Sequence, residues 1–427
     1  MIISKESIEN HNSSKLVSHK KKYELLNTTL SESSIEVNAI IKKIQEFQVA
    51  IPSWALGTGG TRFGRFAGGG EPSTLEQKIE DVGLLHSINQ SSGAISLHIP
   101  WDIPSDANKI KNLAASFGLK FDAVNSNTFQ DQKNQKFSYK FGSLSNTDAN
   151  ARKQAIEHNI EVIKQGQALG SKSLTVWLAD GSSFPGQQHF RRAFERTLDS
   201  LKEIYAALPS DWSIFTEHKA YEPAFYSSVV SDWGSSLLFA QKLGSKASCL
   251  VDLGHHLPNA NIEQIVSRLM MEGKLGGFHF NDSKYSDDDL TVGSIKPYQL
   301  FLIFNELVDG MTSSEVKNPE LGWMIDASHN IKDPLEDLLQ SVEAIMIAYA
   351  QALIIDRKAL ENAQLNNDVV TAQEILQNAY RTDVRSLVAE ARLLSGAALE
   401  PISFYRAQKI RQMLINERGT NSSASGL

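Results

Sequence analysis

From about residue 48 onward, short apolar runs alternate with longer stretches in which apolar residues recur every three or four positions. The short runs are rich in β-branched and aromatic residues and end in loop formers: FQVAIPSW, AISLHIP, KFDAVNSN, SLTVWLAD, WSIFTEH, ASCLVDLG, LGGFHFND and LGWMIDAS. Each reads as a strand. The stretches between them, such as EQKIEDVGLLHSIN, AIEHNIEVIKQGQALG with its closing Gly170, and FRRAFERTLDSLKEIYAAL, carry the helical period. Strand and helix alternating through short turns require a parallel sheet. Eight repeats within roughly 300 residues predict an α/β chain folded as a closed (β/α)8 TIM barrel rather than an open doubly wound sheet.

Both ends lie outside this pattern. Residues 1–47 are polar and then place Leu26, Ile35, Val37, Ile40, Ile41 and Ile44 at helical spacing, which predicts an amphipathic helix packed outside the barrel. The barrel is assigned to 48–355. Beyond Asp333 the chain reads as helix almost to its end, so 356–427 forms a helical extension that either wraps the barrel or makes subunit contacts, with GTNSSASGL as a frayed tail.

The barrel pattern gives the strand ends a chemical meaning, because such barrels build their sites at the C-terminal mouth. Glu217 follows WSIFT, Asp252 follows ASCLV, His279 follows LGGF and Asp326 follows LGWMI, which puts one ligand-bearing side chain at the same height on four successive strands. In VDLGHH, His255 comes three residues after Asp252. A carboxylate can bridge two cations while the imidazole binds one, so the spacing suits a two-metal centre. HFNDSKYSDDDL adds Asp282 and the triplet Asp287, Asp288 and Asp289; if the triplet is extended, Asp287 and Asp289 face one way and Asp288 the other. Each feature alone has a plainer reading, as a solvated acidic loop or a hydrogen-bonded core histidine. Together they predict Glu217, Asp252, His255, His279, Asp287, Asp289 and Asp326 as ligands of two divalent cations. Carboxylates with one imidazole per site favour Mn²⁺ first, with Co²⁺, Mg²⁺ or Zn²⁺ as the other candidates.

Lys219 shares the strand parity of Glu217, so it either points into the mouth, where a cation can polarise a carbonyl, or is a surface lysine at a strand end. His98 and Trp101 close the second strand, Phe129 follows the third and Trp177 ends the fourth. These rings either cap the core or form an apolar wall against which the C–H face of a small polyol can lie. The loop LGTGGTRFGRFAGGGEP, residues 56–72, carries Arg62, Phe63, Arg65 and Phe66. It lacks the Lys-Ser/Thr ending of a phosphate-binding loop and reads better as a lid.

Composition narrows the partners. Against 49 acidic residues stand 42 basic ones, a net charge of −7 with no long basic run, which makes nucleic acid a poor partner. The single cysteine, Cys249, lies inside SCLVDL and reads as a packed core thiol of a reducing compartment. An N-terminus without an apolar h-region, and the absence of any long uncharged apolar run, predict a cytoplasmic protein with no membrane contact.

Over nearly its whole length the chain resembles the broad-specificity bacterial L-rhamnose isomerases of the xylose-isomerase-like barrel superfamily. The segments that carry the resemblance are PSWALGTGGTRF, SLHIPWD, FDAVNSNTF, TVWLADGSSFPG, FTEHKAYEPAFY, CLVDLGHH, HFNDSKYSDDDL and MIDASHN. It implies that Glu217, Asp252, His279 and Asp326 hold a structural metal and that Asp252, His255, Asp287 and Asp289 hold the catalytic one. By the same likeness His98, Trp101, Phe129, Trp177 and Lys219 line the sugar pocket, Glu217 and His255 reach the substrate, and Ser328 helps to position a catalytic water. Phe63 would enter the pocket of a neighbouring subunit in a homotetramer. The implied reaction is reversible conversion of L-rhamnose to L-rhamnulose, with other aldose–ketose pairs of the D-allose/D-psicose type accepted. Because the aromatic wall dries the site and no residue is plainly placed as a carbon base, direct hydrogen transfer between C1 and C2 is favoured over an enediol. The rivals are a one-metal sugar epimerase, which has little use for Asp287 and Asp289, a metal-dependent phosphodiesterase or DNA-repair barrel, which the acidic balance disfavours, and a non-catalytic sugar-binding or assembly protein.

Overall fold

The computed structural model describes residues 3–58, 66, 68–222, 226–316, 321–329 and 331–421. Eight parallel strands close into a barrel: β1 (Ala50–Pro52), β2 (Ala94–Ile99), β3 (Lys120–Ser126), β4 (Ser173–Trp177), β5 (Ser213–Glu217), β6 (Ala247–Asp252), β7 (Leu275–Phe280) and β8 (Gly322–Ile325). Each pairs with its sequence neighbours, and β8 closes on β1. All eight coincide with the apolar runs of the sequence. A two-stranded antiparallel ribbon, Tyr221–Glu222 with Tyr226–Ser227, decorates the loop after β5.

The apolar core lies mainly between strands and helices. Ile51, Leu97, Val124, Leu174, Ile214, Val251, Phe278 and Ile325 present their outward faces to helix residues such as Ile79, Val162, Ile204, Phe239, Phe304 and Leu338, all buried. Inside the barrel a smaller cluster, Ala123, Phe215 and Leu250, fills the lumen beneath the mouth. Gly276 leaves room for it: a Cβ there would stand 2.6 Å from the Phe215 ring. Cys249 is buried in the outer layer, where desolvation pushes its thiol up to about 12, so it is a core residue as expected.

The N-terminal segment forms three helices, Lys5–Ser13, Leu16–Glu32 and Val37–Glu46, where the apolar spacing predicts one. The difference has a polar origin. Ser4 caps the first helix by accepting from the N–H of Ser7, and buried Asn12 donates to the Ala397 carbonyl at 2.9 Å and accepts from the Leu399 N–H at 2.9 Å. His19 meets Glu390 at 2.6 Å. Contacts this distant in sequence leave no periodic signal.

The C-terminal surplus wraps the barrel. Arg385–Leu394 packs on Leu16–Glu32 and Val37–Glu46, and Pro401–Ala407 packs on Leu75–Asn89 and Pro334–Leu353. Arg411 makes a bidentate pair with Asp333 at 2.7 and 2.9 Å, and Arg418 another with Asp81 at 2.8 Å. This last helix, Ile410–Arg418, also holds the far end of the glycine-rich loop. The N–H of Gly70 donates to the Gly419 carbonyl at 3.0 Å, and with φ +71° and only 2.8 Å between a Cβ and the Ile415 nitrogen, no larger residue fits at position 70. Arg62, Phe63 and Arg65 of that loop lie outside the described residues. Among the described residues no single helix is long and apolar enough to cross a membrane.

Candidate metal centre

The strand ends converge, but not all at one height. Asp252 sits opposite His279, whereas Glu217 pairs with Leu250 and His279 with Met324, so Glu217 and Asp326 are each displaced by two residues. This stagger is the shear of a closed barrel. A shift of two keeps side-chain parity, so all four still face the lumen.

Two groups of ligand atoms result, each within 4.8 Å: Glu217, Asp252 and His279, and Asp252, His255 and Asp287. Asp252 belongs to both. Its Oδ1 is occupied, accepting from the Gly254 N–H at 2.8 Å and the Asn281 Nδ2 at 3.0 Å, while Oδ2 lies 3.7 Å from His279 Nδ1 and 4.0 Å from His255 Nε2. Among the described residues that buried Oδ2 has no hydrogen-bond partner, and Nδ1 of His255 and of His279, each 3.2 Å from Glu217 Oε1, makes no well-aligned hydrogen bond. Such atoms are costly unless something else satisfies them. The donor set of imidazoles and carboxylates fits divalent cations.

Asp326 and Asp289 stand next to these groups. Asp326 Oδ2 is 3.8 Å from His279 Nδ1, and its Oδ1 accepts from the Trp54 indole N–H at 2.9 Å. Burial, with the nearby Asp252 and Glu217 carboxylates and against the pull of His279, raises Asp326 to about 6. Asp289 adopts φ +48°, so the acidic triplet is not extended; even so, Asp287 and Asp289 are buried and Asp288 is not. The loop is shaped by its own hydrogen bonds. Asp282 and Leu290 exchange backbone bonds at 2.9 Å, and the Asp288 carboxylate accepts from the N–H groups of Lys284 and Tyr285 at 2.6 and 2.9 Å. Asp282 itself accepts from the N–H groups of Ile295 and Lys296, which makes it a structural residue. Ser328 donates to Asp289 at 3.2 Å. Lys219 is buried, with Nζ 2.7 Å from Asp287 Oδ2 and 4.9 Å over the Trp177 ring.

Electrostatics follow from the crowding. Burial alone lowers a histidine, yet the carboxylates of Glu217 and Asp252 lift His279 to about 10, and those of Asp252 and Asp287 lift His255 well above its ordinary value. Glu217 is held well below the usual carboxylate range against burial, mainly by His279 and His255. Five carboxylates against Lys219 and two imidazoles leave excess negative charge even with both imidazoles protonated.

Above this cluster opens a cleft of about 700 Å³, part of it open to solvent. Its wall is aromatic. His98 stacks on Trp101 at 4.3 Å and meets Trp54 and Phe129 edge-on at 5.3 and 5.7 Å, and Phe129 packs on Trp177 at 4.7 Å. Burial pushes His98 down to about 3, so its imidazole is neutral. The structure therefore gathers Glu217, Asp252, His255, His279, Asp287, Asp289, Asp326, Lys219, Ser328, His98, Trp101, Phe129 and Trp177 at the mouth; Phe63 lies outside the described residues. Sequence reasoning passed over Trp54, Asn125, Thr175 and Asn281. Asn125, Thr175 and Asn281 share the inward parity of the strand-end positions, which is the signal that could have found them, whereas Trp54 lies in the helical turn Ser53–Leu56 and carries no such signal.

No protein-family profile matches the chain. Among curated proteins, a probable sugar isomerase of Mesorhizobium japonicum is 54% identical over 426 residues, spanning 100% of this chain and 98% of its own length. A probable sugar isomerase of Rhizobium meliloti is 53% identical, spanning 100% of this chain and 99% of its own. Solved structures share the barrel at low identity. A Sinorhizobium meliloti protein aligns at TM-score 0.50 and 12% identity over 71% of this chain and 98% of that one, and an L-ribulose 3-epimerase at TM-score 0.50 and 15% identity over 77% and 99%. Identity above one half along the entire length, on a barrel with this ligand-rich mouth, places the chain in the family of those probable sugar isomerases.

Proposed function

We propose that the protein is a two-metal aldose–ketose isomerase that interconverts L-rhamnose and L-rhamnulose and accepts other aldoses of related configuration. The observation that carries this reading is the pair of ligand groups sharing Asp252, because a one-metal epimerase has no use for the second group of His255 and Asp287. When bound, the two cations would polarise the substrate's O1 and O2 and lower the cost of charge developing there.

The protein's own residues supply the rest. Asp326, its orientation fixed by the Trp54 indole N–H, is placed to take and return a hydroxyl proton. Lys219 and Ser328 hold Asp287 and Asp289 in place. Neutral His98 accepts a hydrogen bond from a sugar hydroxyl without introducing charge, while Trp101, Phe129 and Trp177 cover the C–H face and keep water from the migrating hydrogen.

The reading extends to assembly. Phe66, Phe141, Phe184, Leu257, Tyr285 and Ile331, each on a loop at the barrel mouth, are more than half exposed. So many apolar side chains around one opening support a homotetramer in which a neighbour covers the mouth and contributes Phe63. The test is a panel of aldoses assayed for ketose with added Mn²⁺, together with a count of metal per chain. Ketose formation with two metals supports the proposal, whereas one metal and C3 inversion of ketoses would point to the epimerase.

A further inference from the structure

Three of the rings around the cleft sit close together: Trp54 on the turn after β1, His98 near the end of β2 and Trp101 on the turn after β2. One buried carboxylate ties these turns together. Asp102 Oδ2 accepts from the Ser53 hydroxyl and from the His98 N–H at 2.9 Å, and the Asp102 N–H donates to the His98 carbonyl at 3.0 Å. Its Oδ1 accepts from Lys78 Nζ at 2.7 Å. Ser53 and Lys78 are fully buried and Asp102 is 1% exposed.

Lys78 stands on the helix Leu75–Asn89 among Ile79, Val82 and Leu85, where an apolar side chain would serve packing as well. A buried ion pair of this kind contributes little net stability compared with an apolar replacement. What it does contribute is geometry. The charge of Lys78 fixes the Asp102 carboxylate, and the carboxylate fixes the residue before Trp54, the backbone of His98 and the start of the segment that ends in Trp101. None of the three belongs to either group of metal-ligand atoms.

We infer that Lys78, Asp102 and Ser53 are positioning residues that set how the aromatic wall meets the substrate, and so determine which sugars bind, without taking part in metal binding. This rests on the reading of the cleft as a sugar site. The test uses the full-length, Mn²⁺-loaded protein with Asp102→Asn and Ser53→Ala. Three readouts are compared with the parent: kcat and KM across an aldose panel, quenching of intrinsic tryptophan fluorescence by L-rhamnose, and Mn²⁺ affinity.

Asp102→Asn is expected to raise KM and the fluorescence-derived Kd about tenfold and to reorder the aldoses, with kcat changed by less than about threefold and Mn²⁺ affinity within about twofold. Ser53→Ala should move the same quantities in the same direction by a smaller factor. It removes one hydrogen bond and leaves the ion pair, so it carries the test if Asp102→Asn fails to fold. A lowered melting temperature with parental KM, Kd and sugar ranking would show a purely structural role and overturn the inference. If the parent itself neither converts nor responds to any sugar, the functional reading falls, and this inference with it.

Discussion

Metal loading should be a competition with protons, and its size follows from the crowding at the mouth. His279 Nδ1 lies 3.2 Å from Glu217 and 3.7 Å from Asp252, and the pair of carboxylates holds its imidazolium up to about 10. A cation must displace that proton, which at pH 7 costs about 4 kcal/mol for a group titrating near 10. His255, raised well above 6.5 by Asp252 and Asp287, presents the same obstacle at the second position. Between pH 6.5 and 10 the affinity of the His279 position for Mn²⁺ should therefore rise by up to about tenfold per pH unit, with about one proton released per ion, and the His255 position should change in the same direction.

Calorimetric titration of the metal-stripped protein with Mn²⁺, in buffers of different ionisation enthalpy, reads both quantities. Stability gives an independent check. A group whose folded value exceeds its unfolded one adds stability below the unfolded value and loses it as pH rises through the folded one. The metal-stripped protein should thus lose thermal stability between pH 6.5 and 10, while stabilisation by added Mn²⁺ should grow over the same window. An affinity independent of pH, with a binding enthalpy that ignores the buffer, would refute the argument.

Further outcomes follow from the same geometry. Asp252→Asn should weaken both metal positions by more than about a hundredfold and abolish turnover, as read by metal content and ketose assay. Trp54→Phe keeps a ring in the wall but removes the donor to Asp326, so Mn²⁺ affinity should fall about tenfold with little change in sugar affinity; equal affinity would deny the indole an orienting role. Isomerisation in heavy water should leave little deuterium at C1 or C2, and stoichiometric incorporation would establish an enediol route. Phe63→Ala should weaken turnover or shift sugar preference with metal content intact, and a fully active monomer by solution mass would remove the shared site.

The barrel was legible because short apolar runs and stretches of helical period alternate cleanly, and parity then carried Glu217, Asp252, His279 and Asp326 to the lumen. Height was not legible. Shear is a property of the closed sheet, so the two-residue offsets of Glu217 and Asp326 emerge only from the register. The acidic triplet shows a related limit. Burial of Asp287 and Asp289 agrees with alternation, but the left-handed Asp289 and the cap formed by Asp288 owe nothing to an extended strand. The N-terminal helices show the other gap, since Asn12 and His19 are held by residues nearly four hundred positions away.

Groups that would touch metal or sugar and groups that aim them divide along the chain in a consistent way. Asp252 is aimed by Asn281, Asp326 by Trp54, Asp289 by Ser328 and Asp287 by Lys219, each through one polar contact from another strand end or loop. The aromatic wall is aimed through Asp102 instead, by contacts that bypass the ligand cluster. Changes at Ser53 or Asp102 should therefore alter sugar choice at nearly constant metal affinity, whereas changes at Trp54, Asn281 or Ser328 should do the reverse. Combined substitutions drawn from the two sets should add, because sites with no shared partner contribute independently. Strong coupling between Ser53→Ala and Asn281→Ala in a double-mutant cycle would show that wall and metal centre move as one unit.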